Sequence, residues 1–222
     1  MKLDTSYFLT TDVIGLARDL IGKLLYTRIE GVVTGGKIVE TEAYAGVVDK
    51  ASHAFGGRLT KRTQTMYMPG GVGYVYLCYG IHNMFNIVTG PQGTPHAILI
   101  RGIEPVHGIS HILGRRNQNE LKRSTAGGPG LVCQALGIHR GHDALRLDGD
   151  VIWLEKNGNA SAGPVVASSR VGIGYAGEDI DNPWRFRVKD CLFTSPAKYQ
   201  GHRHKHFPCL CLWPWYFSGM KT

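Results

Sequence analysis

The chain lacks what would place it in or across a membrane. No stretch approaches the roughly 18 consecutive apolar residues of a membrane span, and the opening MKLDTSYFLTTD has no apolar segment of the kind a secretory leader carries. Cysteine is scarce and odd in number. Cys78, Cys133 and Cys191 are scattered among apolar neighbours, as buried thiols usually are, and Cys209 and Cys211 follow near the end. This usage points to a reducing compartment, so an intracellular protein is expected, in the cytoplasm and nucleoid of a bacterium or the nucleus of a eukaryote. Internal repeats, heptads and linkers are missing before Cys191. Acidic residues are absent from Lys198 onward, where four basic residues stand, which leaves 21 basic against 17 acidic residues in the body up to Ala197. The sequence pI of about 9.3 favours a polyanionic partner, but with so small an excess in the body a nucleic-acid reading has to rest on local clusters.

What is present describes a globular, turn-rich chain: 222 residues, 43% hydrophobic, with 30 glycines, long enough to bury a core without staples. Val13, Leu16, Ala17, Leu20, Ile21, Leu24 and Leu25 recur at helical spacing and predict a helix over 12–25 behind a Thr11 N-cap, running into a strand over 24–29. Gly35-Gly36 reads as the turn of a hairpin whose second arm is Lys37 to Ala45. Further strands are expected over 74–79, 85–88, 97–101, 151–154, 165–173 and 184–188. Pro105 suits a first helical turn, with Val106, Ile109, Ile112 and Leu113 as the apolar stripe and Arg115-Arg116 at the end. A second short helix is expected from Pro129 to Leu136, stopped by Gly137. The simplest architecture is α+β, one compact domain over 1–190 built on a largely antiparallel sheet. Residues 191–222 form a C-terminal tail whose later part is unlike the rest in composition.

The stretch KIVETEAYAG at 37–46 is the most informative. Alternation sends Ile38, Glu40, Glu42 and Tyr44 to one face of a strand and Val39, Thr41 and Ala43 to the other. Two carboxylates and a tyrosine then stand where a core would normally be. An edge strand with a solvated face is one reading. The other is a pocket that holds a flat ring beside an activated water. Cutting the bond between a base and its sugar calls for an extruded nucleotide, an aromatic slot, a general base and cations for the phosphates. Glu42 is a candidate base, Tyr44, Tyr76 and His53 are candidates for a slot, and Tyr79, before Gly80 at a turn tip, is a candidate wedge. Each has a plainer alternative. Tyr74 and Tyr76 suit a core, His53 a structural hydrogen bond, and Arg58, Lys61 and Arg62 a solvated loop. Glu40 and Glu42 would make a weak metal pair, and His53 has no partners at zinc spacing, so no metal and no cofactor is expected.

The blocks VETEAYAG, His53 eleven residues after Glu42, MYMPGGVGYVYLCYGIHNMFNIV, RGIEP, GPGLVCQALGI and SRVGIGYAGE, in this order over about residues 10–190, resemble the alkyladenine (3-methyladenine) DNA glycosylase family. The resemblance implies a curved, largely antiparallel sheet with flanking helices. It makes Glu42 the general base that deprotonates the attacking water, with Arg101 and the Val171 carbonyl holding that water. It places the extruded base between Tyr44, His53 and Tyr76, its edge met by the backbone of Ala51 and His53. Tyr79 fills the vacated place in the duplex, and Asn86 screens against a guanine 2-amino group. The implied activity is release of alkylated purines (3-methyladenine, 7-methylguanine) and of the deaminated purine hypoxanthine, leaving an abasic site. No lysine is placed to attack the sugar, so a monofunctional, water-using enzyme is expected. It would act as a monomer on double-stranded DNA containing a damaged purine, without a membrane partner.

Arg58, Arg62, Arg115, Arg116 and Lys122 are phosphate-binding candidates by charge alone. Two rivals remain: a damaged-DNA binding module without turnover, and a metal-dependent hydrolase using Glu40, Glu42 and His53. The chain departs from the family's usual close after the RFRV strand. In its tail, His202, His204, His206, Cys209 and Cys211 are conceivable zinc ligands, Trp213 and Trp215 conceivable contacts to a membrane or DNA, and a poorly ordered appendage is the plainer expectation.

Overall fold

The computed structural model describes residues 1–158 and 163–194. Its eight described strands are β1 (Leu24–Ile29), β2 (Val32–Tyr44), β3 (Gly73–Cys78), β4 (His82–Thr89), β5 (His96–His107), β6 (Ile152–Glu155), β7 (Val165–Ser168) and β8 (Arg185–Val188). Four α-helices accompany them: α1 (Val13–Asp19), α2 (Ile109–Arg115), α3 (Arg123–Ala126) and α4 (Pro129–Leu136). The strands make one curled antiparallel sheet in the order β3-β4-β5-β2-β1-β6, with β8 joining β2 and β7 joining β8. The fold is α+β, as expected.

Strand β2 is the centre of the sheet. Of its 13 residues, those from Gly35 to Tyr44 pair with β5 along one side, while β1 covers 32–37 on the other side and β8 covers 40–42. The edge-strand reading of KIVETEAYAG is thereby overturned, because both flanks of its carboxylate-bearing half are paired. A bulge also breaks the simple alternation. The β2–β5 register passes over Val39 and Arg101, and Ile38, Val39 and Ala43 all reach the main core. A bulge turns side chains out of strict alternation. The core is completed by Val13, Leu16 and Ala17 of α1 with Leu20 just after it, Ile112 of α2, Val132, Cys133, Ala135 and Leu136 of α4, and Ile98, Ile100 and Ile103 of β5.

Several boundaries differ from the sequence expectation, each for a local reason. The α1 cap is Asp12, whose side chain accepts the Gly15 N–H at 2.8 Å, rather than Thr11. The helix ends at Asp19. Gly22, at φ +91°, turns the chain so that its N–H meets the Ile38 carbonyl at 2.8 Å. The β1–β2 turn is Glu30-Gly31, both at positive φ as a two-residue hairpin requires. Gly35 and Gly36 lie inside β2 instead. A Cβ on Gly35 would fall 2.3 Å from the Tyr26 ring, and one on Gly36 would fall 2.9 Å from the Glu104 carbonyl, so close strand packing is what the doublet serves. Pro105 belongs to β5, where the ladder to β4 has already ended, and α2 starts only after Gly108. The strand expected over 165–173 stops at Ser168, freeing Arg170 and Val171 to leave the sheet.

Past residue 190 the chain is still packed. Phe193 is buried in the core, and its carbonyl lies 2.4 Å from where a Gly102 Cβ would be. The remainder of the tail, with its candidate zinc ligands and tryptophans, lies outside the described residues.

Candidate active site

The far half of β2 supplies Glu40 and Glu42, and both are fully buried. Carboxylates withdrawn from water at this depth need donors, and the topology supplies them from three segments. Arg101, on the bulge of β5, donates Nε to Glu40 at 2.9 Å and Nη1 to Glu42 at 3.3 Å. Arg185 of β8 donates to the same Glu40 oxygen at 2.8 Å. Glu42 also accepts the Val171 N–H at 2.7 Å and the Tyr44 hydroxyl at 2.8 Å. Burial pulls the Arg101 pKa down, but Glu42 and Glu40 beside it push it further up, so the guanidinium stays charged. The Tyr44 hydroxyl is driven well above its usual range by burial and then by Glu42. It therefore stays a proton donor to the carboxylate.

In front of Tyr44 opens a cavity with about 350 Å³ of empty space including its mouth, lined by Tyr44, Ala51, Ser52, His53, Met66, Tyr74, Tyr76, Asn86, Ala97 and Tyr175. All five expected pocket residues (Tyr44, Ala51, His53, Tyr76 and Asn86) line it. The His53 and Tyr76 rings touch edge to face, with centroids 4.7 Å apart and planes at 80°. A flat guest held between two rings needs them about 7 Å apart, two contact distances. His53 and Tyr76 therefore form one wall together, and Tyr44 is among the rings left to face it. Asn86 is buried, its amide donating to the Tyr74 carbonyl at 3.1 Å. Glu42, Arg101 and Val171 are not part of the lining. Glu42 meets the cavity through the Tyr44 hydroxyl, and it is the Val171 N–H, not its carbonyl, that contacts the carboxylate.

Tyr79 occupies the tip of the β3–β4 hairpin. It takes φ +52° and Gly80 φ +75°, and the Ile81 N–H closes the turn onto the Cys78 carbonyl at 3.1 Å. A bulky side chain rarely adopts positive φ. Here the turn holds Tyr79 64% exposed, flanked by exposed Leu77 and Ile81, as an apolar tip. The basic candidates divide. Arg58 is an exposed side chain in the loop after the cavity-lining segment, and Lys122 is half exposed. Arg115 donates to Thr34 Oγ1 and the Ala135 carbonyl, and Arg116 to the carbonyls of Thr125 and Ser124, so both tie helices together. Arg62 is drawn in against His53 and Tyr76.

Sequence reading missed an ion pair that braces the site. Arg170 and Asp49, both with fully buried side chains, are joined by two hydrogen bonds of 2.6 and 2.8 Å. Arg170 also donates to the Ala43 carbonyl and stacks between Tyr44 and Trp184, 4.8 and 4.9 Å from the ring centroids. Asp49 accepts the N–H groups of Ala45 and Ala51. One pair thus ties the end of β2, the loop carrying Ala51 and His53, and the segment carrying Val171. Tyr175 was missed too. Its hydroxyl donates to the Ala51 carbonyl at 3.1 Å inside the cavity. The available signals were Asp49 midway between two site blocks and the Arg and Tyr of SRVGIGYAGE. Among the described residues no three potential metal-ligating His, Cys, Asp or Glu side chains gather, and Glu40 is instead held by two arginines. No described helix is long and apolar enough to cross a membrane.

Comparison with known proteins agrees with this geometry. Residues 7–192 match the family model described as Methylpurine-DNA glycosylase (MPG). A protein of Chlamydia pneumoniae named "Putative 3-methyladenine DNA glycosylase" is 45% identical over 185 residues, which cover 83% of this chain and 93% of that protein. Relatives of the same name from Clostridium perfringens (strain SM101 / Type A) and Bacillus cereus (strain G9842) are 41% identical over 204 residues and 40% identical over 197 residues. These alignments cover 88% and 85% of this chain and 99% and 96% of the relatives. With residues 7–192 matched by the family model and relatives 40–45% identical aligned over nearly their whole length, the chain belongs to the methylpurine-DNA glycosylase family.

Proposed function

We propose that this DNA glycosylase excises alkylated purines, 3-methyladenine and 7-methylguanine among them, and also the deaminated purine hypoxanthine, by hydrolysis that leaves an abasic site. The single observation that carries this reading is the junction of Glu42 with the cavity through Tyr44: a buried carboxylate gripped by its donors, next to a ring-lined cavity open to a flat base. The extruded purine lies between Tyr44 and the His53–Tyr76 wall, with its edge toward Ala51 and His53 and with Asn86 crowding a 2-amino group. Water enters at the Tyr44 corner, where Glu42 takes its proton as it attacks the sugar carbon. Arg101 and the Val171 carbonyl orient that water. A cationic leaving base departs without a strong enzymic acid, and the aromatic walls attract its charge. Tyr79, projecting from its strained turn, takes the place of the extruded nucleotide. Glu42 acts with water and no lysine attacks the sugar, so the enzyme does not cut the strand, and it acts as a monomer.

The test is a set of otherwise identical duplexes carrying 3-methyladenine, 7-methylguanine, hypoxanthine or an undamaged purine, assayed with and without EDTA. Release of the damaged bases, unaffected by EDTA and without strand cleavage, is expected. Binding without release would favour the non-catalytic module, and loss of activity in EDTA the metal-dependent hydrolase.

A further inference from the structure

One wall of the cavity has a cation behind it. The Arg62 guanidinium carbon lies 4.8 Å from the Tyr76 ring centroid, and Nη2 lies 3.2 Å from His53 Nε2. Arg62 does not line the cavity, whereas Tyr76 and His53 do. The guanidinium therefore backs the wall and leaves the space in front open. A guanidinium can only donate, so His53 Nε2 is the acceptor. The imidazole proton then sits on Nδ1 and is donated to the Tyr74 hydroxyl 3.1 Å away. The chain Arg62 to His53 to Tyr74 fixes one neutral tautomer. Burial first, then the charges of Arg62 and Arg58, hold the imidazole pKa down to about 3, so the wall's own histidine adds no charge at neutral pH. Across the cavity Tyr44 is also backed by a guanidinium, that of Arg170, but there Asp49 pairs with it at 2.6 Å.

A cation over one face of an aromatic ring draws on the same electron density that would attract a cation to the other face. We propose that Arg62 is a specificity-determining residue: its charge behind the His53–Tyr76 wall weakens the pull on a cationic alkylpurine and so brings neutral damaged purines closer to parity. This rests on the reading of the cavity as the base pocket. It gives Arg62 a part in lesion choice that is separate from any phosphate contact. With the guest one contact distance beyond the ring, the two charges are about 8 Å apart. At an effective dielectric constant near 20, and discounted for partial exposure, such a repulsion is worth roughly three- to tenfold in relative affinity.

The experiment compares kcat/KM for 7-methylguanine, which is cationic, with that for hypoxanthine, which is neutral, in duplexes of one sequence. The ratio cancels the fraction of folded enzyme and any general loss of DNA affinity, so it remains readable if a variant is damaged. Arg62→Gln should raise the cationic-to-neutral ratio about three- to tenfold, and Arg62→Lys, which keeps the charge, should hold it within about twofold of wild type. An unchanged or lowered ratio in Arg62→Gln, or a lysine variant that behaves like the glutamine one, would overturn the assignment. Release of neither base by the wild-type enzyme would instead overturn the pocket itself.

Discussion

His53 shows how much a single residue's surroundings decide. As a lone histidine in a glycine-rich loop it could be a structural residue, a ligand or a wall. Its neighbours make it a neutral ring with a fixed tautomer, held by Arg62 and Tyr74. Its pKa falls from 6.5 to about 3 on folding, chiefly by burial, so the unfolded chain binds the extra proton between those values. This contribution to stability is complete above pH 6.5 and is lost as the pH falls toward 3. Between pH 6.5 and 4.5 it should remove about 2 kcal/mol. Urea unfolding across that range should show His53→Gln losing less stability than wild type, and parallel curves would contradict the buried neutral ring. At this scale the sequence was informative where a block was distinctive. Tyr44, His53, Tyr76 and Asn86 come from separate blocks and line one cavity, which Glu42 meets through the Tyr44 hydroxyl. It was uninformative where only charge was visible. Nothing in GGRLTKR says that Arg62 turns inward while Arg58 stays in solvent, and Arg170 and Asp49, 121 positions apart, meet only because of the fold.

Among the elements, β2 carries the site because it is central and bulged. Its far half puts Glu40 and Glu42 between arginines from β5 and β8, and its near half needs Gly35 and Gly36 to let β1 and β5 approach. Gly36→Ala should therefore cost roughly 1–3 kcal/mol, since the new Cβ meets the Glu104 backbone carbonyl at 2.9 Å, an atom that cannot rotate away. A denaturation midpoint equal to wild type would show that the strands have room. The sequence misread this doublet as a turn because glycine pairs signal both turns and close packing. It also took Pro105 for a helix start, when Gly108 is where the chain turns into α2. Lengths and partners of strands were the harder part. Alternation identifies a strand but not its neighbours, and only pairing on both sides shows that the carboxylates are buried.

For the whole molecule, the modest charge excess and the division among the basic residues limit how binding to DNA can work. Arg115 and Arg116 are committed to internal carbonyls, which leaves Arg58 and Lys122 as the exposed members of the original set. Binding to a lesion duplex should weaken with salt, and Arg58→Ala should lower the slope of log affinity against log salt by about 1. Arg115→Ala should leave that slope unchanged and reduce stability by about 1–3 kcal/mol, because the Thr34 hydroxyl and Ala135 carbonyl lose a charged donor. Equal slopes for wild type and Arg58→Ala, or a shallower slope for Arg115→Ala, would reverse the assignment.

The central claim is that Glu42 is the base that activates water for a purine held in the cavity. It is tested most directly by single-turnover release of hypoxanthine from a labelled duplex by wild type and Glu42→Gln, with lesion binding measured in parallel. Release should fall by roughly 10²- to 10⁴-fold while lesion affinity stays within about threefold of wild type. Release at the wild-type rate would contradict the account.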